Sequence, residues 1–522
     1  MRFLPAGDTA ILVELRDLDE VAALHGSLKA DPVAGVDAMI PAAQTLLLGF
    51  DPAQTGAAEL AAMLAARDAG QGVSGTRRVV EVPVVYDGQD LDEVAALTGL
   101  GRDEVVARHQ QTSWRAGFNG FAPGFCYLTG GDPALEVPRR KTPRTAIPAG
   151  SVALAGRFSG VYPQSSPGGW QIIGTTPVAM WDLDRDPPAL IAPGDEVRFV
   201  AADAAVADGQ GCAPEAAQKA APPEMGEIEV LAAPFPASFQ DAGRMGMLDQ
   251  GIPASGAMDR AAFRALNRLL GNAPGTAALE VTGGGLRLRS DAACTVAVTG
   301  AARRVTVNGQ DFASHRPVAL DSGDELLLGP PESGTYGYLG LRGGFDVTPV
   351  LGSASTDTLA RIGPDMVTAG SRLRLAKARA GAVGDPLPAP ALPRAGDVVT
   401  VEVTLGPRAD WFTDQAVDSF LRQHWRVSQQ SSRVGKRLEG QGLERRDDRE
   451  LPSEGTPHGA IQVPHSGQPV LFLSDHPLTG GYPVIAVVSA SALDLVAQAP
   501  PGALLRFHAR KAFHEITPSK GR

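Results

Sequence analysis

Glycine and proline, 61 and 42 of 522 residues, are scattered along the chain rather than gathered into one tract. They fall between short apolar runs. Glycine accepts positive φ and proline pre-sets a turn, so a chain punctuated this way reads as many short strands joined by tight turns. Segments 78–86, 294–298 and 397–403 are such strands, rich in β-branched residues. Helical periodicity is confined to 21–28, 59–67, 91–98, 102–112, 259–270 and 410–423. The expected class is mainly β, with strands 9–15 and 44–50 alternating with helices in a small α/β amino-terminal domain.

Composition shifts divide the chain. Residues 1–76 form the α/β unit and 77–206 a first strand-rich domain. A linker spans 207–226, where 213–224 is small, polar and proline-bearing with no apolar face. The next domain is expected in two parts, 227–380 and 397–512, joined by a connection at 381–396 in which Pro386, Pro388, Pro390 and Pro393 recur.

A net charge of −11 argues against bulk binding of nucleic acid or anionic membrane. No run of about 18 apolar residues predicts a membrane-spanning helix. The first eight residues lack a basic region followed by an apolar one, so no secretory signal is expected. Cys126, Cys212 and Cys294 are far apart, which suggests neither a disulfide framework nor a zinc site and fits a reducing cytoplasm. A phosphate loop, a strand-linked GxGxxG, HExxH, GxSxG and a biotinylation Met-Lys-Met are all missing.

Chemistry-bearing residues concentrate in three stretches. The first holds His109, the glycine–aromatic run 117–128, a cationic block Arg139, Arg140, Lys141 and Arg144 stiffened by prolines, and 160–174 with Tyr162 and Gln171. His109 reads equally as a core histidine or as a general base near neutral pH. The arginine block reads as a solvated turn or as an oriented site for carboxylate or phosphate. Tyr162 and Gln171 are able to orient a polar substrate. In the second stretch, 240–259, Ser255 or Asp259 is placed to cap the following helix. Glu280 and Arg342, each beside glycines, are candidates for one shared pocket. The third stretch carries Arg433, Glu454, His458, Gln462, Asp475, His476 and Tyr482. Its spacing matches no metal-ligand pattern, so a polar substrate site is expected and no metal.

Residues 120–125, 138–144, 149–152 and 166–170 together resemble the allophanate hydrolase subunit 1 family over residues 3–205. Residues 251–259, 453–455, 459–464 and 480–483 resemble the companion subunit 2 family over 227–510, so the chain looks like a fusion of the two. The resemblance implies cyclophilin-like β-barrels in both halves. It also implies the fused B and C subunits of an ATP-dependent 5-oxoprolinase, which opens 5-oxoproline to L-glutamate with a separate lactam-binding subunit. ATP, with Mg, would be a co-substrate, and a homo-oligomer is possible. The same pair of modules serves as the carboxyltransferase of biotin-dependent urea carboxylase, and a related pair acts as a kinase-regulating binding protein. Carried onto this sequence, the resemblance assigns catalytic work to His109, Arg139, Arg144 and Glu454. It assigns substrate contacts to Arg140, Tyr162, Gln171, Arg433, Gln462 and Tyr482. His465 and Cys126 are left out of the expected site.

Overall fold

The computed structural model describes residues 1–68, 78–140, 142, 144–203, 226–376, 378–446, 449 and 451–519; the break at 71–76 and the linker stretch 213–224 lie outside them. The amino-terminal unit is a four-stranded antiparallel sheet in the order Arg2–Pro5, Ala10–Glu14, Thr45–Phe50, Val36–Pro41. Helices Leu18–Ala30 and Ala57–Ala66 bury Leu24, Leu28, Leu60 and Leu64 in its core. Asp17 starts the first helix by accepting the Glu20 amide at 3.0 Å, satisfying one of the orphan donors of the first turn.

Two barrel-like sheets follow the same plan. The first runs Val79–Val84, Gln171–Thr175, Ser151–Ala155, Phe158–Val161, Cys126–Thr129, Trp114–Asn119 and Glu196–Ala201. A Val85–Thr175 bridge joins its first two members, and Glu196–Ala201 returns parallel to Val79–Val84. The second is closed in the order Val398–Leu405, Val484–Val488, Ala460–Gln462, Val470–Phe472, Gly435–Glu439, Trp425–Val427 and Leu504–Ala509. Its last strand also returns parallel to its first. Each barrel carries a helix before its tryptophan strand, Arg102–Gln111 or Asp414–Arg422. The Trp114 indole donates to the His109 carbonyl and the Trp425 indole to the Phe420 carbonyl, both at 3.0 Å. His109 stacks on Phe199 at 4.3 Å as Phe420 stacks on Phe507 at 4.6 Å. His109 therefore fills the position that phenylalanine fills in the second barrel.

Between the barrels in sequence lies a nine-stranded sheet built on the long strands Cys294–Val307 and Glu325–Leu341. Helix Arg260–Leu270 packs on it, capped by the Asp259 carboxylate accepting the Ala262 amide at 2.8 Å; Ser255 does not cap it. Residues 381–396 contain no helix or strand and are laid down by backbone bonds such as Gly381 to Gly271 and Leu387 to His315. The helix expected over 410–423 begins only at Asp414, because Thr413 caps it with its hydroxyl after a short turn at Ala409–Trp411. The two largest cores each span two units. One joins the amino-terminal sheet to the first barrel, and the other joins Phe263, Leu266 and Tyr338 to the second barrel.

Arg433 ties the nine-stranded sheet to the second barrel. Its Nε and Nη2 meet both Asp475 oxygens at 2.9 and 2.8 Å, and Nη1 donates to Glu280. Nη2 also donates to the Gly256 carbonyl, Ser255 Oγ and Gln240 Oε1. Expected as a substrate contact, Arg433 is instead a buried structural cation. Glu280 is occupied here and by the Tyr338 hydroxyl at 2.8 Å, while Arg342 donates to the Leu270 carbonyl, so the two side chains have separate partners.

Replacing Arg433 with Met leaves Asp475 and Glu280 buried without their cation, and is expected to cost about 3–5 kcal/mol in urea unfolding. Nearby, Asp357 is buried with Oδ2 unpartnered among the described residues, and burial followed by the Asp475 charge raises its pKa. A raised carboxyl contributes stability that is complete below the ordinary aspartate range and is lost as pH rises through the raised value. Asp357→Asn should flatten the fall in stability between that range and neutrality, read as the difference in urea midpoints from the parent at pH 5 and pH 8.

Candidate functional site

Where the two barrels meet, they enclose a cleft of about 480 Å³. Each barrel lends it the same kind of lip. Gly168-Gly169-Trp170 precedes strand Gln171–Thr175, and Gly480-Gly481-Tyr482 precedes Val484–Val488. A Cβ at Gly480 would sit 2.5 Å from Gln462 Nε2, and one at Gly481 would sit 2.6 Å from Arg139 Nη1. The glycine pair thus makes room for two polar side chains.

One wall is aromatic. Phe125 meets Trp170 and Tyr162 edge to face, both at 5.3 Å, and Tyr127 meets Trp170 at 5.5 Å. Phe121, held at φ 64°, donates its amide to Thr479 Oγ1 at 3.0 Å, fastening the aromatic loop of one barrel to the lip of the other. Burial keeps the Tyr162 phenol well above its ordinary pKa, so it stays a neutral hydroxyl.

The other wall is polar and cationic. Arg139 crosses from the first half to donate to Ser453 Oγ at 3.3 Å, and Ser453 in turn reaches the Tyr127 hydroxyl at 3.4 Å. Gln462 Nε2 donates to the Tyr482 carbonyl at 2.9 Å. The Arg445 guanidinium lies 5.8 Å over the Tyr482 ring, which His465 meets edge-on at 5.6 Å. Arg140 and Arg449 complete the lining. Four guanidinium groups beside phenol and amide donors suit an anionic or oxyanion-developing group.

Of the ten expected residues, this cleft gathers Arg139, Arg140, Tyr162, Gln462 and Tyr482. The other five go elsewhere. His109 is buried with Nδ1 bonded to the Tyr86 hydroxyl at 2.8 Å and Nε2 to Ser159 Oγ at 2.9 Å, and burial lowers its pKa to about 3. It is a core histidine, not a solvent-facing base. Arg144 is absent from the lining and donates to Asp90 Oδ1 at 2.6 Å, an oxygen it shares with Arg140. Gln171 is buried and its Nε2 faces the Pro138 carbonyl at 3.5 Å. Arg433 lies in the network described above. Glu454 is paired with Arg408, its two oxygens each 3.0 Å from Nε, on the wall of a neighbouring 420 Å³ cavity. That cavity shares Arg449, Leu451 and Ser453 with the cleft.

The cleft also holds residues that the sequence did not single out as site members: Arg445, Arg449, His465 and Ser453. His465, expected outside the site, lines it, whereas Cys126 is buried in the first barrel core. For these missed residues the available signal was the repeat of Gly-Gly-aromatic before an apolar strand in both halves.

Comparison with known proteins adds a second line of observation. Residues 1–191 match the model of the carboxyltransferase domain, subdomain C and D, and residues 250–509 match subdomain A and B. The chain is 35% identical over 283 residues to the 5-oxoprolinase C subunit of Escherichia coli (strain K12), covering 54% of this chain and 90% of that protein. It is 47% identical over 127 residues to the 5-oxoprolinase B subunit of Bacillus subtilis (strain 168), covering 24% of this chain and 53% of that protein. The crystal structure of TTHA0988 matches with a TM-score of 0.83 at 33% identity, covering 96% of this chain and 99% of that one.

Asp90 fixes the arginine block: its Oδ1 accepts from Arg140 and Arg144 and its Oδ2 accepts the Ile172 amide at 2.8 Å. Asp90→Ala strands these donors and should cost about 2–3 kcal/mol in urea unfolding. The exposed Asp92–Arg102 pair is the comparison, and Asp92→Ala should stay within about 1 kcal/mol of the parent.

Proposed function

This chain belongs to the carboxyltransferase-domain family, subdomains C and D preceding A and B, and from that premise we propose that it is the fused B and C component of an ATP-dependent 5-oxoprolinase. In this reading it opens 5-oxoproline to L-glutamate together with a separate lactam-binding subunit. The observation that carries the reading is the cleft itself. Arg139, Tyr162 and Trp170 come from the half similar to the B subunit, and Gln462, Tyr482 and Arg445 from the half similar to the C subunit. Separate subunits would need to meet to form such a cleft. Here they are joined in one chain.

The chemistry needs a site for an amide nitrogen–carbonyl unit that becomes anionic. Arg139 and Arg445 supply fixed positive charge, the Tyr162 hydroxyl and the Gln462 amide supply neutral donors, and the aromatic wall limits water around the reacting group. ATP, with Mg, is a co-substrate: its γ-phosphoryl passes to the lactam oxygen and ADP leaves. One water attacks the carbonyl carbon and the C–N bond breaks, the nitrogen leaving as the amine of glutamate. A second water takes the phosphoryl group to inorganic phosphate.

The test is turnover of the chain copurified with the lactam-binding subunit from the same genome. Glutamate and ADP should appear in equal amounts, only with both proteins present, and Arg139→Gln should lower kcat/KM by roughly 10²-fold while the complex still forms. An intact complex that releases no glutamate would sink the reading. Carboxyl transfer from carboxybiotin to urea under the same conditions would replace it with the carboxyltransferase activity.

A further inference from the structure

A second, larger cleft of about 580 Å³ lies where the amino-terminal sheet faces the second barrel and the 240–260 segment. It contains motifs that the proposed reaction leaves unused: Arg244 of the Gln240–Arg244 run, Arg260 at the start of the capped helix, and His458 and Ser474 of the carboxyl-terminal stretch. Two of these side chains are more than nine-tenths buried and carry polar atoms without partners among the described residues. Arg244 is 1% exposed. It commits Nε to the Val350 carbonyl and Nη2 to the Ser355 carbonyl, leaving Nη1 unpaired. Ser474 is 5% exposed and its Oγ has no partner. A buried donor without an acceptor costs free energy, and two lining one cleft are explained together by an acceptor that arrives with a ligand.

Carboxylates act on both arginines, Asp494 on Arg260 and Asp357, Asp241 and Asp475 on Arg244. Arg260 and His458 lie close enough for the guanidinium to hold the imidazole pKa down, after burial, and neither side chain makes a hydrogen bond among the described residues. His458 stacks on His476, whose two nitrogens are already bonded to the Leu473 and Thr456 carbonyls. Of the acids on the opposite wall, Asp8 accepts the Ala490 amide and Asp51 accepts from Gln54 and Ala53, so both are committed within the protein. Asp37 is exposed. The rest of the floor is apolar: Ile40, Leu47 and Leu478 belong to one buried cluster, and Met245 stands 65% exposed at the lip.

We propose that this cleft is a second ligand site, for a small organic anion whose carboxylate or phosphate head meets Arg244, Arg260, His458 and Ser474 and whose aliphatic body lies on Ile40, Leu47 and Leu478. The site is distinct from the cleft between the barrels, with which it shares no lining residue.

Calorimetric titration of the full chain with hexanoate, hexyl phosphate and hexan-1-ol tests it. At least one of the two anions should bind at one per chain, at least about tenfold tighter than the alcohol. Binding of only hexanoate or only hexyl phosphate identifies the head group. Arg260→Gln and Ser474→Ala should each weaken that binding about tenfold. Ser474→Ala removes an unpaired buried hydroxyl, so its melting temperature should stay at or above the parent's, which separates lost binding from lost fold. Arg139→Gln, in the other cleft, should leave the titration unchanged. Failure of both anions to bind the parent, binding that survives both substitutions, or binding lost in Arg139→Gln would each overturn the proposal.

Discussion

The buried guanidinium of Arg433 fixes the arrangement of parts of the chain that a shared apolar core also joins. Its planar fork reaches Asp475 of the second barrel, Glu280 of the nine-stranded sheet and the Ser255–Gly256 turn at once. Such a cluster adds little net stability over an apolar replacement, because desolvating the charges cancels much of the attraction. What it adds is direction. A hydrophobic contact tolerates sliding and rotation, whereas a bidentate ion pair with further acceptors fixes both. The 240–260 segment and residues 474–476 are positioned through this cation, and both contribute to the second cleft.

The cleft between the barrels depends on a different constraint, the repetition of one strand order. Both barrels close through a parallel first-and-last pair, and both send a glycine pair and an aromatic residue into the strand next to the first. Set against each other, they bring two lips of similar build to one cleft with unlike side chains behind them. The first contributes aromatic rings and Arg139, the second the Gln462 amide, Tyr482 and Arg445. A site made this way has chemically different walls. The same repetition explains His109. It occupies a packing position that phenylalanine fills in the other barrel, and its ring nitrogens are satisfied by Tyr86 and Ser159.

The strand-rich character, the approximate positions of six helices and a cap at either Ser255 or Asp259 were legible in the sequence, because turn residues, helical periodicity and side-chain caps act over a few residues. The recurrent blocks were also legible, and they led to the family. The equivalence of the two barrels was not. Corresponding positions carry different residues, His109 against Phe420 and Trp170 against Tyr482, so the repeat survives in topology and hydrogen bonding while its letters have changed.

The fate of each polar residue was decided only by the tertiary structure. Arg139 and Arg144 are five residues apart in one cationic block, yet one meets Ser453 across 314 residues of sequence and the other turns to Asp90. Glu454 is adjacent to Ser453 but faces Arg408 in another cavity. The physical reason is general. Local conformation is set by near neighbours, whereas a side chain's charge state, solvation and partners are set by whatever the fold packs against it, here groups hundreds of residues away. Sequence determined which elements form and in what order. Tertiary structure determined which arginines are structural and which face a cleft.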